Sequence, residues 1–209
     1  MLPDWDADSP ELIRNIVQLL ESIEQDALQR NPPTVEAARR WQSEIMQGLE
    51  ADDPKYVGAF RGEAGLEGVQ VHVDWIFGVA AHEVADALSV FERRLQLVVS
   101  HLDSLIALGT EPNSDQANVI IDLCAWAHAE WVRIHPFANG NGRTARLWTN
   151  SLALRYGLPP FLSVRPRPGS DYEIACAKAM QADWEPTVDV FHQLLEEFLS
   201  GSFEEPDRL

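Results

Sequence analysis

One twelve-residue segment combines residue types that could bind a polyphosphate and move a proton. From His135 to Arg146 it reads HPFANGNGRTAR. Two glycines around Asn141 let successive backbone N–H groups converge on an anion, and the N-terminus of a following helix adds a positive dipole. Arg143 and Arg146 are three residues apart, so they are neighbours on that helix and can bind further phosphates. A neutral imidazole at His135 can accept a proton from a hydroxyl group.

The charge pattern around this segment also indicates an anion site. Residues 133–167 contain six arginines and no Asp or Glu, although the chain of 209 residues has a net charge of −17. Such a basic window in an acidic chain favours a local site for a concentrated anion. The overall acidity argues against sequence-independent binding of nucleic acid or of an anionic membrane, which needs a broad basic face. We therefore expect neither of them as a partner.

Hydrophobic periodicity predicts a mostly α-helical protein around this segment. Apolar residues recur at helical spacing over most of the chain, interrupted by Pro, Gly, Asn and Ser. The only strand pattern predicts one β-hairpin, formed by residues 56–61 and 69–73 around a glycine-bearing turn. The predicted helices span residues 10–29, 34–49, 79–108, 115–134, 142–156, 169–181 and 186–199.

The segment resembles the active-site motif of the Fic family, commonly HxFx(D/E)GNGRxxR. Ile134 before it and Leu147–Asn150 after it are also similar to that family's loop and helix. Weaker similarity is found at Gly58–Arg61, which resembles the start of the family's flap hairpin, and at 172–191, which resembles its C-terminal helices. The resemblance implies a mostly α-helical Fic-type bundle with one β-hairpin flap.

The resemblance also suggests a domain organisation. It covers about residues 35–199, so we expect one Fic domain with an N-terminal helical extension at 1–34 and a flexible tail at 200–209. The N-terminus lacks a basic region followed by an apolar run, and no stretch is apolar enough to span a membrane. A cytoplasmic location is therefore expected.

Fic proteins typically transfer AMP from ATP to a Ser, Thr or Tyr hydroxyl of a target protein, with Mg²⁺ or Mn²⁺ as cofactor. By resemblance, His135 is the general base and Phe137 is the hydrophobic anchor of the loop. Nucleotide binding is assigned to five residues, the first three at the α-phosphate and the last two at the β- and γ-phosphates: Gly140, Asn141, Gly142, Arg143 and Arg146. Catalysis of this kind rests on positioning and charge neutralisation.

Asn139 departs from the family pattern. It stands where the family usually has an Asp or Glu that binds magnesium, and a neutral carbonyl binds a hard cation more weakly. Residues 133–167 contain no acid that could replace it. Three alternatives follow: the cation is held mainly by the phosphates, the metal affinity and the reaction have changed, or the protein is a weak enzyme.

The resemblance also implies a target-binding flap and some form of control. Val69, Val71 and Val73 of the flap would pair with the backbone of the target protein by strand addition. Many Fic proteins are silenced by a helix with the pattern (S/T)xxxE(G/N), and the nearest match begins at Ser43. Gln47 stands in place of its glutamate and lacks the charge to pair strongly with Arg146. We interpret this match as an ordinary helix end, which leaves an antitoxin-like inhibitor or oligomerisation as alternative means of control.

Two other functions stay open at this stage. A Doc-type phosphotransferase would bind the nucleotide in the reverse orientation, although Gly142 and Arg143 resemble the AMP-transferring members more closely. A nucleotide-binding regulatory module would keep the fold without turnover. Asn139 favours that second alternative, and the retention of His135 argues against it.

Overall fold

A computed structural model describes residues 9–73 and 75–201 of the chain. The predicted tail from 202 onward lies outside these residues. The described residues are mostly α-helical, as predicted, and they contain one small antiparallel hairpin of β1 (His72–Val73) and β2 (Ile76–Phe77). Their helices are α1 (Pro10–Leu28), α2 (Val35–Ile45), α3 (Val84–Leu105), α4 (Ser114–Ile134), α5 (Asn141–Arg155), α6 (Ser170–Ala179) and α7 (Glu185–Ser200).

Most helix boundaries lie within two residues of the predicted ones, and side-chain caps fix two of them. Ser9 caps α1 by accepting a hydrogen bond from the Leu12 N–H at 3.1 Å. Asn113 and Gln116 form a reciprocal capping box at the start of α4. Helix α3 begins five residues later than predicted, at Val84, after a 3₁₀ turn.

Helices α4 and α5 form the centre of the molecule and carry the functional segment between them. Both are buried on most sides, and their aromatic side chains meet Phe91 of α3. The ring of Trp131 lies 5.8 Å from that of Trp148 and 5.4 Å from that of Phe91, measured between centroids. Because close-packed aromatic rings resist displacement, this cluster holds the ends of α4 and α5 in a defined position.

Helix α1 is part of the same core. Its residues Leu12, Leu19 and Ile23 are almost fully buried. After α1 ends, Arg155 of α5 donates hydrogen bonds to the backbone carbonyls of Arg30 and Asn31, so the chain is tied to the central helix there. Among the described residues, no helix is both long and apolar enough to cross a membrane.

The prediction of the hairpin strands was wrong. Residues 56–61 do not pair with 69–73, and the hairpin instead lies at 72–77, where His72 pairs with Phe77 and Val73 with Ile76. The reason is a compact turn after Phe60. Glu63 accepts a hydrogen bond from the Phe60 N–H, and the buried Leu66 accepts one from the N–H of Gly62 through its carbonyl. These contacts direct the chain away from the predicted pairing.

Candidate active site

The loop between α4 and α5 is anchored by Phe137. This side chain is fully buried, with ring centroids of Phe60 and Trp131 at 4.9 and 6.0 Å. Phe60 and Phe137 also form an antiparallel backbone bridge, and the Arg61 N–H donates to the Pro136 carbonyl at 2.7 Å. The segment before the flap therefore packs directly on the functional loop, in the place where the sequence predicted a strand.

Asn141 closes the loop on itself. Its Oδ1 accepts a hydrogen bond from the Phe137 N–H at 2.8 Å, and its Nδ2 donates to the Phe137 carbonyl at 2.9 Å. Gly140 precedes α5 with φ of 87°, a left-handed conformation that side chains other than glycine rarely adopt. The side chain of Asn141 thus shapes the loop, and the backbone at the N-terminus of α5 is what remains to bind an anion.

His135 sits at the C-terminal end of α4 in a left-handed conformation, with φ of 53°. Its Nδ1 lies 2.9 Å from the Val132 carbonyl oxygen, and because a carbonyl only accepts, Nδ1 carries the proton. Nε2 therefore holds the lone pair. Burial and, to a smaller extent, the charge of Arg61 lower the pKa of His135, which keeps the ring neutral near pH 7. These are the properties that a general base requires.

Arg61 links the flap segment to the histidine. Its buried guanidinium donates to the carbonyl oxygens of His135 at 2.7 Å, Ile134 at 3.0 Å, Val79 at 2.7 Å and Val69 at 3.3 Å. Burial lowers the pKa of Arg61 to about 10, so the group stays charged at neutral pH. In the sequence, Arg61 stood out only because Gly58–Arg61 resembles the start of the flap hairpin. That resemblance did not indicate that Arg61 binds the His135 carbonyl.

A cavity of about 580 Å³ opens in front of the loop. It brings together Val73 of the flap and most of the residues predicted for the site. Phe137 and Val69 line neither this cavity nor a second one of about 450 Å³, which Val71 lines. The predicted residues along the larger cavity are His135, Asn139, Gly140, Asn141, Gly142, Arg143 and Arg146.

Arg143 and Arg146 are both only 4% exposed, although they line the cavity. The guanidinium of Arg146 donates through Nε and Nη2 to the Val164 carbonyl, at 3.2 and 2.9 Å, and through Nη1 to the Tyr172 hydroxyl at 3.2 Å. These contacts use three of its five N–H groups and fix its plane. Arg146 is therefore preorganised, with donors left for a ligand.

His128 supports this arrangement from inside the core. It is fully buried on α4, and its Nε2 lies 2.8 Å from the Tyr172 hydroxyl. Because that hydroxyl accepts a hydrogen bond from Arg146, it can donate its own proton to Nε2. Burial, with a smaller contribution from the charge of Arg146, lowers the pKa of His128 to about 3, so the ring is neutral.

Helix α2 reaches the loop through Gln42, which the sequence did not indicate. Its Oε1 accepts from the Gly58 N–H at 2.6 Å and its Nε2 donates to the Asn139 carbonyl at 3.4 Å. The helix ends at Ile45. Ser43 donates to the Arg39 carbonyl, and Gln47 is exposed and does not line the cavity, as expected for an ordinary helix end.

The described residues along the cavity do not form a binding site of their own for magnesium. Asn139 provides a neutral amide, and Glu173 is the one carboxylate among the described residues that line the cavity. Glu173 is paired with Arg167 at 3.1 Å. The part of the chain that the structure describes contains no group of three His, Cys, Asp or Glu residues that could hold a metal ion. A hard divalent cation prefers several anionic oxygens, which these residues do not supply.

The fold and the site define a helical domain in which a neutral histidine and buried arginines border one cavity. The sequence model of the Fic/DOC family matches residues 32–153, more than half of the chain. This chain therefore belongs to the Fic/DOC family.

Relatives of the chain share short stretches with it. A protein named "Protein adenylyltransferase Fic" from Drosophila mojavensis is 48% identical over 52 residues, which cover 24% of this chain and 10% of that protein. Another of the same name from Aedes aegypti is 40% identical over 70 residues, covering 32% and 13%. The matched stretch is thus a small part of each relative.

Solved structures share the fold over most of the chain. A Fic domain containing signaling protein from Bacteroides thetaiotaomicron has a TM-score of 0.67 at 22% identity, covering 90% of this chain and 70% of that one. Fic-1 from C. elegans has a TM-score of 0.63 at 20% identity, covering 94% and 52%. BepC from Bartonella tribocorum, solved with bound AMPPNP, has a TM-score of 0.54 at 18% identity, covering 85% and 86%.

Proposed function

We propose that this protein transfers AMP from ATP to a Ser, Thr or Tyr hydroxyl of a target protein. One observation carries the proposal: His135, neutral and with its lone pair on Nε2, borders the same cavity as the loop amides and two buried arginines. The names of the relatives from Drosophila mojavensis and Aedes aegypti, and the AMPPNP bound to BepC, support a nucleotide as the ligand and AMP as the transferred group.

In the proposed reaction, His135 acts on the target hydroxyl. Nε2 takes the hydroxyl proton while the oxygen forms a bond to the α-phosphorus of ATP. The bond from that phosphorus to the bridging β-oxygen breaks, and pyrophosphate leaves with its electron pair. His135 then releases its proton to solvent, which the low pKa of the ring favours. Each group returns to its initial state at the end of the cycle.

The phosphates are proposed to bind along α5. The backbone N–H groups at Gly140 and Gly142 would donate hydrogen bonds to the α-phosphate region, where the helix dipole adds positive potential. Arg143 and Arg146 would neutralise charge that accumulates on the leaving pyrophosphate, and the contacts of Arg146 with Val164 and Tyr172 hold it ready. Magnesium or manganese would arrive bound to the phosphates of ATP and would neutralise part of their charge.

The flap is proposed to dock the target protein. Val73 lies in β1 and borders the same cavity as His135. At the tip of the hairpin Trp75 is 94% exposed, and Phe77 of β2 is 62% exposed. Exposed aromatic side chains of this size are common anchors in protein interfaces. An extended target segment would pair with β1 and present its hydroxyl to the cavity.

The proposal is tested by following the α-phosphate and the γ-phosphate of ATP separately. Purified protein is incubated with cell lysate, Mg²⁺ or Mn²⁺, and ATP labelled on either the α- or the γ-phosphate. We expect α-label on protein, lowered by at least about a hundredfold in His135→Ala, as for loss of a general base. ATP binding should stay close to that of the wild type.

His101→Ala changes an exposed histidine on α3 and serves as the matched control, with transfer expected at the level of the wild type. Label from the γ-phosphate would instead indicate a phosphotransferase. ATP binding without any transferred label would contradict both enzymatic functions and favour a regulatory module. Loss of ATP binding in His135→Ala would contradict the assignment of His135 as a base.

A further inference from the structure

Two Asn-Gly pairs stand side by side in the functional loop. Asn139–Gly140 and Asn141–Gly142 are the only places in the sequence where glycine follows asparagine. In such a pair the backbone nitrogen of the glycine can attack the side-chain amide carbon of the asparagine, because glycine has no Cβ to hinder the approach. Asparagine is among the thermally labile residues of proteins. The loop therefore contains two candidate sites of spontaneous deamidation.

The structure protects Asn141 from this reaction. Asn141 is only 3% exposed, and both ends of its amide group are hydrogen-bonded to the backbone of Phe137, at 2.8 and 2.9 Å. Asn141 is also the first residue of α5, so its backbone is held in the helical conformation. The attack on the amide carbon requires the side chain to turn toward the nitrogen of Gly142, and these contacts hold it elsewhere.

Asn139 lacks this protection. It lies in a bend outside the helices, is partly exposed and lines the larger cavity. Among the described residues, neither its side-chain amide nor the Gly140 N–H forms a hydrogen bond, since the contact of Asn139 with Gln42 uses the backbone carbonyl of Asn139. The two groups that must react are therefore both available, and water reaches them through the cavity.

The surroundings of Gly140 favour the attack. Its nitrogen shares a peptide group with the Asn139 carbonyl, which accepts a hydrogen bond from Nε2 of Gln42 at 3.4 Å. Gly140 also directly precedes α5, and its own carbonyl accepts from the Thr144 N–H at 3.0 Å. A hydrogen bond to the carbonyl of a peptide group and the positive end of a helix dipole both make the peptide N–H more acidic. This promotes the reaction, because the attacking nitrogen must first lose its proton.

We propose that Asn139 is a site of deamidation in the folded protein, and that its conversion to aspartate gives the cavity a carboxylate besides that of Glu173. The Gly140 nitrogen loses its proton to solvent and bonds to Cγ of Asn139. The Cγ–Nδ2 bond then breaks, and ammonia leaves with a proton from solvent. Water adds to Cγ of the resulting five-membered imide, the new N–Cγ bond breaks, and the Gly140 N–H is restored. In total, one water is consumed and one ammonia is released.

The imide can give two products, which change the cavity differently. Aspartate keeps the backbone of the loop and adds an anionic oxygen of the kind that a hard divalent cation prefers. Addition of water to the backbone carbonyl of the imide gives isoaspartate instead, which lengthens the main chain just before Gly140 and displaces the start of α5. Deamidation itself needs no nucleotide, and only its effect on AMP transfer rests on the proposed function.

The test is incubation of the purified full chain in water enriched in oxygen-18 at mildly alkaline pH, followed by proteolysis in ordinary water and fragmentation mass spectrometry. Hydrolysis of the imide places the heavy oxygen in the new carboxylate, so the label reports only deamidation during the incubation. In the folded protein we expect Asn139 to be labelled at least about tenfold faster than Asn141, whose two amide hydrogen bonds must first break. In the chain unfolded by guanidinium chloride, both should be labelled at similar rates.

Two variants accompany this measurement. Asn139→Gln is the matched control, because a glutamine side chain would have to close a less favourable six-membered ring. It should remove the label at this position and leave the slow labelling of Asn141 as in the wild type. Asn139→Asp is the reference for the product. Ion exchange of the aged wild type should yield a species that binds Mn²⁺ without nucleotide as tightly as Asn139→Asp does, and more tightly than the fresh protein.

Two results would overturn deamidation at Asn139. These are label at Asn139 that appears no faster than at Asn141 in the folded protein, and label at neither residue while the unfolded chain is labelled. Both are measured on the wild type, so they stand even where a variant fails to fold. Aged species that all bind Mn²⁺ like the fresh protein would overturn the role given to the new carboxylate. Failure of the proposed function is distinct, since it would appear as absent transfer of α-label by a wild type in which Asn139 still deamidates.

Discussion

The substitution Gly78→Ala is predicted to disturb the site from the flap side. Gly78 follows β2 and donates its N–H to the Val71 carbonyl at 3.1 Å. A Cβ at this position would lie 2.7 Å from the Cβ of His135, 3.2 Å from Nη2 of Arg61 and 3.3 Å from the Ile134 carbonyl oxygen. Only a residue without a side chain therefore fits between the flap and the histidine.

The size of the effect follows from these distances. Ordinary contact begins near 3.4 Å, so the flap and His135 must separate by about 0.7 Å. Overpacking of this kind costs about 1–3 kcal/mol of the unfolding free energy, which urea unfolding measures. A displacement approaching 1 Å at a catalytic group lowers a rate by about tenfold to a hundredfold. We expect that reduction in the transfer of α-label.

Gly68→Ala is the matched control, because a Cβ there meets nothing within 4 Å. It should stay within about 0.5 kcal/mol of the wild type and keep the full rate. The imidazole NMR signals of His135 should shift in Gly78→Ala alone. If both variants had the same stability and rate, the close approach of Gly78 to His135 would be wrong. Lower stability with an unchanged rate would show that the flap moves while His135 stays in place.

Two further changes test the buried histidine and the cation. His128→Gln removes a ring whose pKa is lowered to about 3 in the folded protein. In the unfolded chain the ring has the ordinary pKa of 6.5, so below that pH the unfolded chain takes up a proton that the folded protein does not. Between pH 7 and pH 5 the wild type should therefore lose about 2 kcal/mol more of its unfolding free energy than the variant does, as measured by urea unfolding at both pH values. Equal losses would show that folded His128 protonates as readily as the unfolded chain. Asn139→Asp adds a carboxylate at the cavity and should lower the Mg²⁺ concentration for half-maximal transfer of α-label by about tenfold. An unchanged requirement would indicate that the phosphates hold the cation.

The central helices and the functional segment were predictable because their signals are local. The start of α4 is encoded by Asn113 and Gln116, whose side chains cap backbone groups only three residues away. The end of α4 and the start of α5 follow from the segment beginning at His135. Its glycines and arginines indicated an anion site, and the structure places them along one cavity.

The hairpin was predicted at the wrong place because strand pairing is not local. Residues 56–61 alternate as a strand would, but Phe60 finds a better partner in Phe137, distant in sequence and fully buried. The turn that follows depends on Glu63, which also pairs with Arg39 of α2. No pattern within the segment itself reveals either contact.

The roles of Asn141 and Arg61 also depended on the tertiary structure. The family resemblance assigned Asn141 to the α-phosphate, whereas its amide group is used by the backbone of Phe137. Arg61 lies far from His135 in sequence, yet it binds the carbonyl of that residue. A sequence shows which groups can form hydrogen bonds, and packing decides which of them meet.

The sequence alone determined the helical architecture and the family motif, together with a basic window in an acidic chain, since caps, periodicity and charge are properties of neighbouring residues. The tertiary structure decided which of the six arginines of that window face the cavity, and which tautomer His135 adopts beside the Val132 carbonyl. It also decided that Gly78 closes over the histidine. These outcomes depend on contacts between distant parts of the chain, which are established only when the core packs.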